Sequence, residues 1–201
     1  MFSALVDEFW ATRLAVGVAQ GDNAVAEALA LWDDESPTEF RQRLTAQGMT
    51  IQALDIVHYL PLATQAGLAV NASADGGRQL ESASDAAAFA EFQAAAPPED
   101  LDDAYVELDH WAVFGVFVGE RLVAAASAYP WRGSTLADIG VITLPEFRGQ
   151  GRGRTVVQAL AAHCLAAGHE PQYRCDPANT ASVWLGRHVG FLPYATWAVL
   201  E

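Results

Sequence analysis

The chain has 201 residues, 52% hydrophobic and 18% charged, enough apolar material for the core of one or two globular domains. All 11 basic side chains are arginine, so a phosphate loop ending in Gly-Lys-Ser/Thr and any Schiff-base catalysis are excluded for want of a lysine amine. A formal charge of -14 argues against a nucleic-acid partner, whose affinity comes mostly from basic side chains displacing counterions.

The opening MFSALVDEFW carries acids where a secretory signal has basic residues, and no run of about 18 apolar residues suggests a membrane span. Cys164 and Cys175 are the only cysteines, in a chain too large to depend on a disulfide. A cytoplasmic location is expected. Leu5 to Leu14 reads as an amphipathic helix and Asn23 to Trp32 as a helix or buried segment. Ser36-Pro37-Thr38-Glu39 has capping-box spacing with proline at the first helical position, predicting a helix to about Gln47. Ile51 to Leu60 reads as a strand ended by Pro61, and the turn formers NASADGGR at 71 to 78 mark a boundary. The expected organisation is an N-terminal α/β extension at 1-76 and a second domain at 77-201.

Beyond the boundary, Arg78 to Ala83 is an expected strand, and Ser84/Asp85 cap an expected helix over AAAFAEFQAAA, stopped by Pro97-Pro98. Glu99 to His110 reads as an acidic helix. The apolar runs 112 to 118 and 121 to 129, separated by Gly119-Glu120, predict a tight hairpin. A strand at Ala137 to Thr143, a glycine-rich loop, a helix from about Gly151 to Ala167, the strand PQYRCD, the helix NTASVWLGRHV and the strand FLPYATWAVL complete the chain. This order indicates an α/β or α+β fold with a mixed sheet.

Residues 1 to 136 hold 20 acids against 6 arginines, whereas Ala137 to Phe191 holds 4 acids against 5 arginines. An anionic ligand belongs in the later segment. There, Arg148-Gly149-Gln150-Gly151-Arg152-Gly153 joins a strand to a helix. Alternate glycines let the backbone amides turn into one concavity at the positive end of the helix dipole. A dinucleotide fingerprint would need its third glycine at Arg154, and a purely structural glycine turn is the other alternative.

Arg148-x-x-Gly151-x-Gly153, preceded by Val141-Ile142-Thr143-x-Pro145, resembles the coenzyme A pyrophosphate loop of the GCN5-related N-acetyltransferase (GNAT) superfamily. Asn179-Thr-Ala-Ser182 followed by Gly190-Phe191 resembles that family's next helix and strand. DEFWATRL together with PQYRCDPANTAS is similar to a subgroup of uncharacterised bacterial members with an N-terminal extension. The resemblance covers Arg78 to Glu201 and implies a GNAT-like mixed, mostly antiparallel sheet flanked by helices. It implies that acetyl-coenzyme A is the co-substrate, with no metal, and that the acetyl group moves directly to an amine. The amides of Gly149, Gln150, Gly151, Arg152 and Gly153 would hold the pyrophosphate, with Arg148, Arg152 and Arg154 adding charge. The main chain at Val141, Ile142 and Thr143 would pair with the pantetheine arm, and Asn179 and Ser182 would bind from the other side.

An alkylamine of pKa about 10.4 costs about 4.6 kcal/mol to deprotonate at pH 7, whereas a thiol of pKa about 8.5 leaves as thiolate for about 2 kcal/mol. A base therefore matters more than an acid. Asp138 is near where the family places an acidic base, with Glu107 and Asp109 as rivals and a solvated strand-end carboxylate as the alternative. The family's usual acidic tyrosine position is Gly186 here, so either no acid acts or Tyr173 or Tyr194 substitutes. The acids Glu99, Asp100, Asp102, Asp103, Glu107 and Asp109 would draw a cationic small molecule or peptide, or form a solvated helix face. Trp111 and Trp131 would wall an acceptor cleft or lie in the core, and His110 would contact the acceptor or cap a helix end. The histidines show no metal spacing. The leading expectation is an N-acetyltransferase acting on a primary amine of a small molecule or peptide. A coenzyme A binding regulatory protein without transferase activity is the alternative. For residues 1 to 76 a dimer surface, a lid and a degenerate copy of the fold stay open.

Overall fold

A computed structural model describes residues 37–71, 76–131 and 134–200; the helices expected at Leu5 to Leu14 and Asn23 to Trp32 lie outside them. The chain divides into two compact units, 1–52 with 199–201, and 53–198. In the first, helix α1 (Pro37–Ala46) opens with proline at its first position as the capping spacing predicts. It buries Phe40 and Leu44, and Gly48, at φ 79°, ends the turn that follows.

The second unit is built on a seven-stranded sheet in the order β2-β3-β4-β5-β6-β1-β7. Its strands are β1 (Ile51–Tyr59), β2 (Gly77–Gln79), β3 (Ala112–Val118), β4 (Arg121–Pro130), β5 (Leu136–Thr143), β6 (Glu170–Cys175) and β7 (Leu192–Leu200). The helices are α2 (Leu62–Asn71), α3 (Ser82–Ala95), α4 (Pro98–Ala104), α5 (Arg152–Ala166) and α6 (Thr180–Val189). β2 to β5 form an antiparallel run, β6 joins β5 in parallel, and β1 pairs antiparallel with the far edge of β6. This is the mixed, mostly antiparallel sheet flanked by helices that the resemblance implies.

Both faces of the central strands are covered, which is why AVFGVFV and LVAAASA read as continuous apolar runs rather than alternating ones. On one face Val156, Val157, Leu160, Ala161 and Cys164 of α5 pack with Phe114, Ala124, Ala126, Ile139 and Tyr173, and Leu68 of α2 joins them. On the other, Phe89 and Phe92 of α3 pack with Val113, Leu122, Ala125 and Ile142. Among the described residues no helix is long and apolar enough to cross a membrane.

Four features differ from the sequence expectations. The second unit starts at Ala53, ahead of the turn formers at 71 to 78, because β1 is held in the sheet by pairing Ile56, Val57 and His58 with Cys175, Arg174 and Tyr173. The strand expected to reach Ala83 stops at Gln79, and α3 begins at Ser82 rather than after Asp85. Asp85 accepts a bond from Glu81 N at 2.8 Å and a two-pronged bond from Arg78 at 2.6 and 2.9 Å, which draws the helix start back by a turn. The acidic helix expected over Glu99 to His110 ends at Ala104, with Tyr105 in the left-handed region at φ 46°. The Ala104 carbonyl sits against Gly140, where a Cβ would stand 1.9 Å from that oxygen. The chain turns there to bury Val106, which takes Glu107 and Asp109 off the helix. Finally, α2 carries no charged side chain at either end to mark it, and no helix was expected there.

Candidate functional site

β5 and β6 run side by side from Leu136↔Glu170 to Ile139↔Tyr173, and their pairing ends there. β5 continues to Thr143, held by β4 on its other edge, and β6 continues to Cys175, held by β1. Each strand is thus fixed by its outer neighbour while the inner edges part. A cavity of about 650 Å³ lies at this fork, lined by Asp138 to Thr143, Tyr173 to Asp176, the glycine turn, Asn179 and Ser182.

The glycine turn follows a single 3-10 turn at Pro145–Phe147. Gly149 at φ 72° and Gly151 at φ 79° occupy left-handed backbone that a side chain would strain. Gly151 is the N-cap of α5 and no side chain caps the helix, which leaves its first amides without an intrahelical acceptor beside the cavity that Gly149, Gly151 and Gly153 line. A Cβ on Gly153 would lie 3.0 Å from Thr143 Oγ1, so glycine lets the first turn of α5 approach the end of β5. Arg148 donates Nε to the Thr143 carbonyl at 3.0 Å and pairs with Asp100. Arg152 and Arg154 line the cavity, and the buried Nε of Arg152 has no hydrogen-bond partner among the described residues.

Where the strands part, Asp138 is buried and holds three donors. Gln172 Nε2 reaches Oδ1 at 2.9 Å, while Tyr129 OH and Arg174 Nη2 reach Oδ2, each at 3.1 Å. Tyr59 OH donates to Gln172 Oε1 at 2.6 Å, fixing the amide's orientation. Arg174 also gives Nη1 to Asp55 Oδ2 at 3.0 Å, so one guanidinium bridges two carboxylates from different strands. Burial, with the neighbouring Asp138 charge, pushes the Tyr129 hydroxyl up to about 12. Burial also raises Asp55 above the usual carboxylate range, against the opposing pull of Arg174.

On the far wall, Asn179 caps α6 by accepting Ser182 N at 3.0 Å. The Ser182 hydroxyl lies 2.5 Å from Tyr173 OH. Burial pushes that phenol above its ordinary range, so it remains protonated at neutral pH.

The cavity therefore gathers Asp138, Tyr173, Val141, Ile142, Thr143, Arg148, Gly149, Gly151, Arg152, Gly153, Arg154, Asn179 and Ser182. Glu107 and Gln150 do not line it: Glu107 accepts from Gln93 at 3.2 Å and Gln150 donates to the Glu146 carbonyl at 3.0 Å. Trp111 lies against His163 and His169, and Tyr194 against Tyr59; neither lines the cavity, nor does Trp131. His110 sits behind the wall, between Tyr105 and Tyr129, with Nδ1 2.8 Å from Ser127 Oγ. Sequence reasoning missed Asp55, Tyr129, Gln172 and Arg174. Arg174 carried a faint signal as one of five arginines in the less acidic segment, but Asp55 lies 119 positions away and had none.

A family model described as the acetyltransferase (GNAT) family matches residues 81–191. The uncharacterised N-acetyltransferase YdfB of Bacillus subtilis (strain 168) is 31% identical over 78 residues, 39% of this chain and 30% of that protein. The chain thus spans under a third of that relative's length. Among solved structures, an acetyltransferase from the GNAT family of Colwellia psychrerythraea matches at TM-score 0.57 and 17% identity, over 81% of this chain and 62% of its own. A GCN5-related N-acetyltransferase from Kribbella flavida matches at TM-score 0.54 and 18% identity, over 80% and 62%. At these identities the solved structures bear on the fold alone.

Proposed function

Since the chain belongs to the acetyltransferase (GNAT) family, we propose that it is an acyltransferase that moves the acetyl group of acetyl-coenzyme A onto a primary amine of a small cationic molecule or peptide. The observation that carries this reading is the fork: pairing between β5 and β6 stops at Ile139↔Tyr173, and the free inner edge of β5 leads to the uncapped start of α5. A free strand edge pairs with an extended amide-bearing arm, and a helix start with glycine amides binds phosphate. The unpartnered Nε of Arg152 and the absence of a Cβ at 149, 151 and 153 fit an anionic group there.

In this reading the amides from Gly149 to Gly153 hold the pyrophosphate, with Arg148, Arg152 and Arg154 supplying charge. The main chain of Val141, Ile142 and Thr143 holds the amide-bearing arm, and Asn179 and Ser182 contact it from α6. Acetyl-coenzyme A supplies the activated acyl carbon. Direct attack by the amine is favoured over a covalent enzyme intermediate, because burial pushes the one cavity thiol, Cys175, up to about 11 and leaves little thiolate at pH 7. In this reading the Tyr173 hydroxyl, which lines the cavity, protonates the departing sulfur. Asp55 and Asp176 also line the cavity and give it negative charge that an ammonium seeks. Asp138, tied to three donors, is suited to holding Arg174 and Tyr129 in place.

Two measurements test the reading. Acetyl-coenzyme A should raise the melting temperature, and thiol release should follow addition of spermidine, kanamycin or a lysine peptide. Absence of both overturns it.

A further inference from the structure

We infer that Asp55, on β1 and outside the stretch matched by the family model, is the group that takes the proton from the acceptor amine. The inference rests on the transfer reading above. Geometry singles out this carboxylate. Asp138, the acid expected from sequence, has both oxygens engaged, Oδ1 by Gln172 and Oδ2 by Tyr129 and Arg174. With both oxygens held by protein donors, Asp138 has no oxygen left open toward the amine. Asp55 holds one donor, Arg174 on Oδ2, and among the described residues none reaches Oδ1. Its side chain is partly exposed at 19%, against 5% for Asp138, and it lines the same cavity. Arg174 ties both carboxylates together, so Asp55 is held at the fork rather than swinging in solvent.

The ammonium form of the acceptor gives one proton to Asp55 Oδ1, and the freed nitrogen attacks the thioester carbonyl carbon. The C–N bond forms, the C–S bond breaks with its electron pair going to sulfur, Tyr173 OH gives its proton to that sulfur, and the second nitrogen proton restores the phenol. Asp55 then returns its proton to solvent.

The charged and titratable groups around Asp55 are Arg174 and Cys175 on β6, Asp176 just beyond it, Asp138 on β5 and Tyr129 on β4. β7 contributes Tyr194 as its one titratable side chain. Burial and the two neighbouring aspartates raise Asp55 while Arg174 lowers it, so the carboxylate is a stronger base than a solvated one and still opens to a proton from the cavity side.

The test is thiol release from acetyl-coenzyme A by the full chain with spermidine, kanamycin and a lysine peptide, from pH 6 to about 9.5, for wild type, Asp55→Asn and Asp55→Glu. Loss of a general base predicts a fall in kcat/KM of about 100-fold at pH 7 for Asp55→Asn. That deficit should shrink as pH rises toward the amine's own pKa of about 10 and solution supplies the free amine. Affinity for acetyl-coenzyme A should stay unchanged, and Asp55→Glu should recover much of the rate. A deficit independent of pH, or a near wild-type rate, overturns the role of Asp55 and leaves the transfer reading standing. A wild type that binds acetyl-coenzyme A but releases no thiol with any of these amines overturns both. If Asp55→Asn does not fold, Asp55→Glu decides: a displaced acidic limb of its pH profile supports the role, and an unmoved limb overturns it.

Discussion

A Cβ placed on Gly186 would stand 3.0 Å from Cε1 and 3.1 Å from Cδ1 of Tyr173. Gly186 is where the family resemblance leads one to expect a tyrosine, and the space such a side chain would enter is taken by the ring of Tyr173. That ring is buried, with Phe191 at 5.4 Å and His58 at 6.0 Å, so it has little room to yield. The missing residue on α6 and the tyrosine on β6 are two aspects of one packing arrangement.

Gly186→Ala is therefore expected to destabilise the fold by about 1 kcal/mol, because overpacking at about 1–3 kcal/mol outweighs the gain of about 1 kcal/mol from alanine in a helix. Urea denaturation checks this. An increase in stability would mean that the Tyr173 ring moves freely.

Tyr173→Phe should lower kcat with amine acceptors by no more than about 30-fold at pH 7. The thiolate form of a thiol with pKa about 8.5 costs only about 2 kcal/mol at that pH, which caps what an acid can contribute. Binding of acetyl-coenzyme A should be little changed. Steady-state kinetics with a titration of the co-substrate separates the two quantities, and an unaltered kcat removes the hydroxyl from the chemistry.

Glu170 is pushed up to about 7 by burial, with Gln65 donating to its two oxygens at 3.1 and 3.3 Å. A carboxyl whose folded pKa lies above its unfolded value of about 4.3 binds more protons in the folded state, so stability falls as pH rises from about 4 through 7. Glu170→Gln should therefore be more stable than wild type at pH 8, by about 1 kcal/mol, with the difference closing near pH 4. Melting curves across that range give the sign.

Asp85 behaves oppositely. Its bonds from Arg78 and from Glu81 N lower it to about 2. Its contribution is present above the unfolded pKa of about 3.9 and disappears as pH falls through 2. Asp85→Asn should cost about 1–2 kcal/mol at pH 7 and progressively less below pH 4, as acid denaturation of the two proteins would show.

What was legible in the sequence was what local chemistry determines. Gly119-Glu120 between two apolar runs gave the hairpin, and the alternating glycines before RTVVQALAAHC gave the turn and helix that form one wall of the cavity. The helix expected over Glu99 to His110 failed at Tyr105 because the stop is imposed from outside, by the Ala104 carbonyl seated on Gly140. Asp85 has the look of a cap in the sequence, whereas its partner Arg78 lies across a turn rather than along a helix. The polar cluster at the fork was half visible: Asp138 by its position before the loop, but not Asp55, which only the pairing of β1 with β6 brings to Arg174.

The central claim is that the amides of the glycine turn at the start of α5 hold the diphosphate of coenzyme A, and calorimetric titration of coenzyme A into wild type and Gly151→Val tests it most directly. A β-branched side chain cannot adopt φ 79° without strain. The account predicts saturable binding to wild type and at least a 100-fold weaker association with the variant, a difference of about 2.7 kcal/mol. Equal affinity for both proteins, or no binding heat with either, would contradict it.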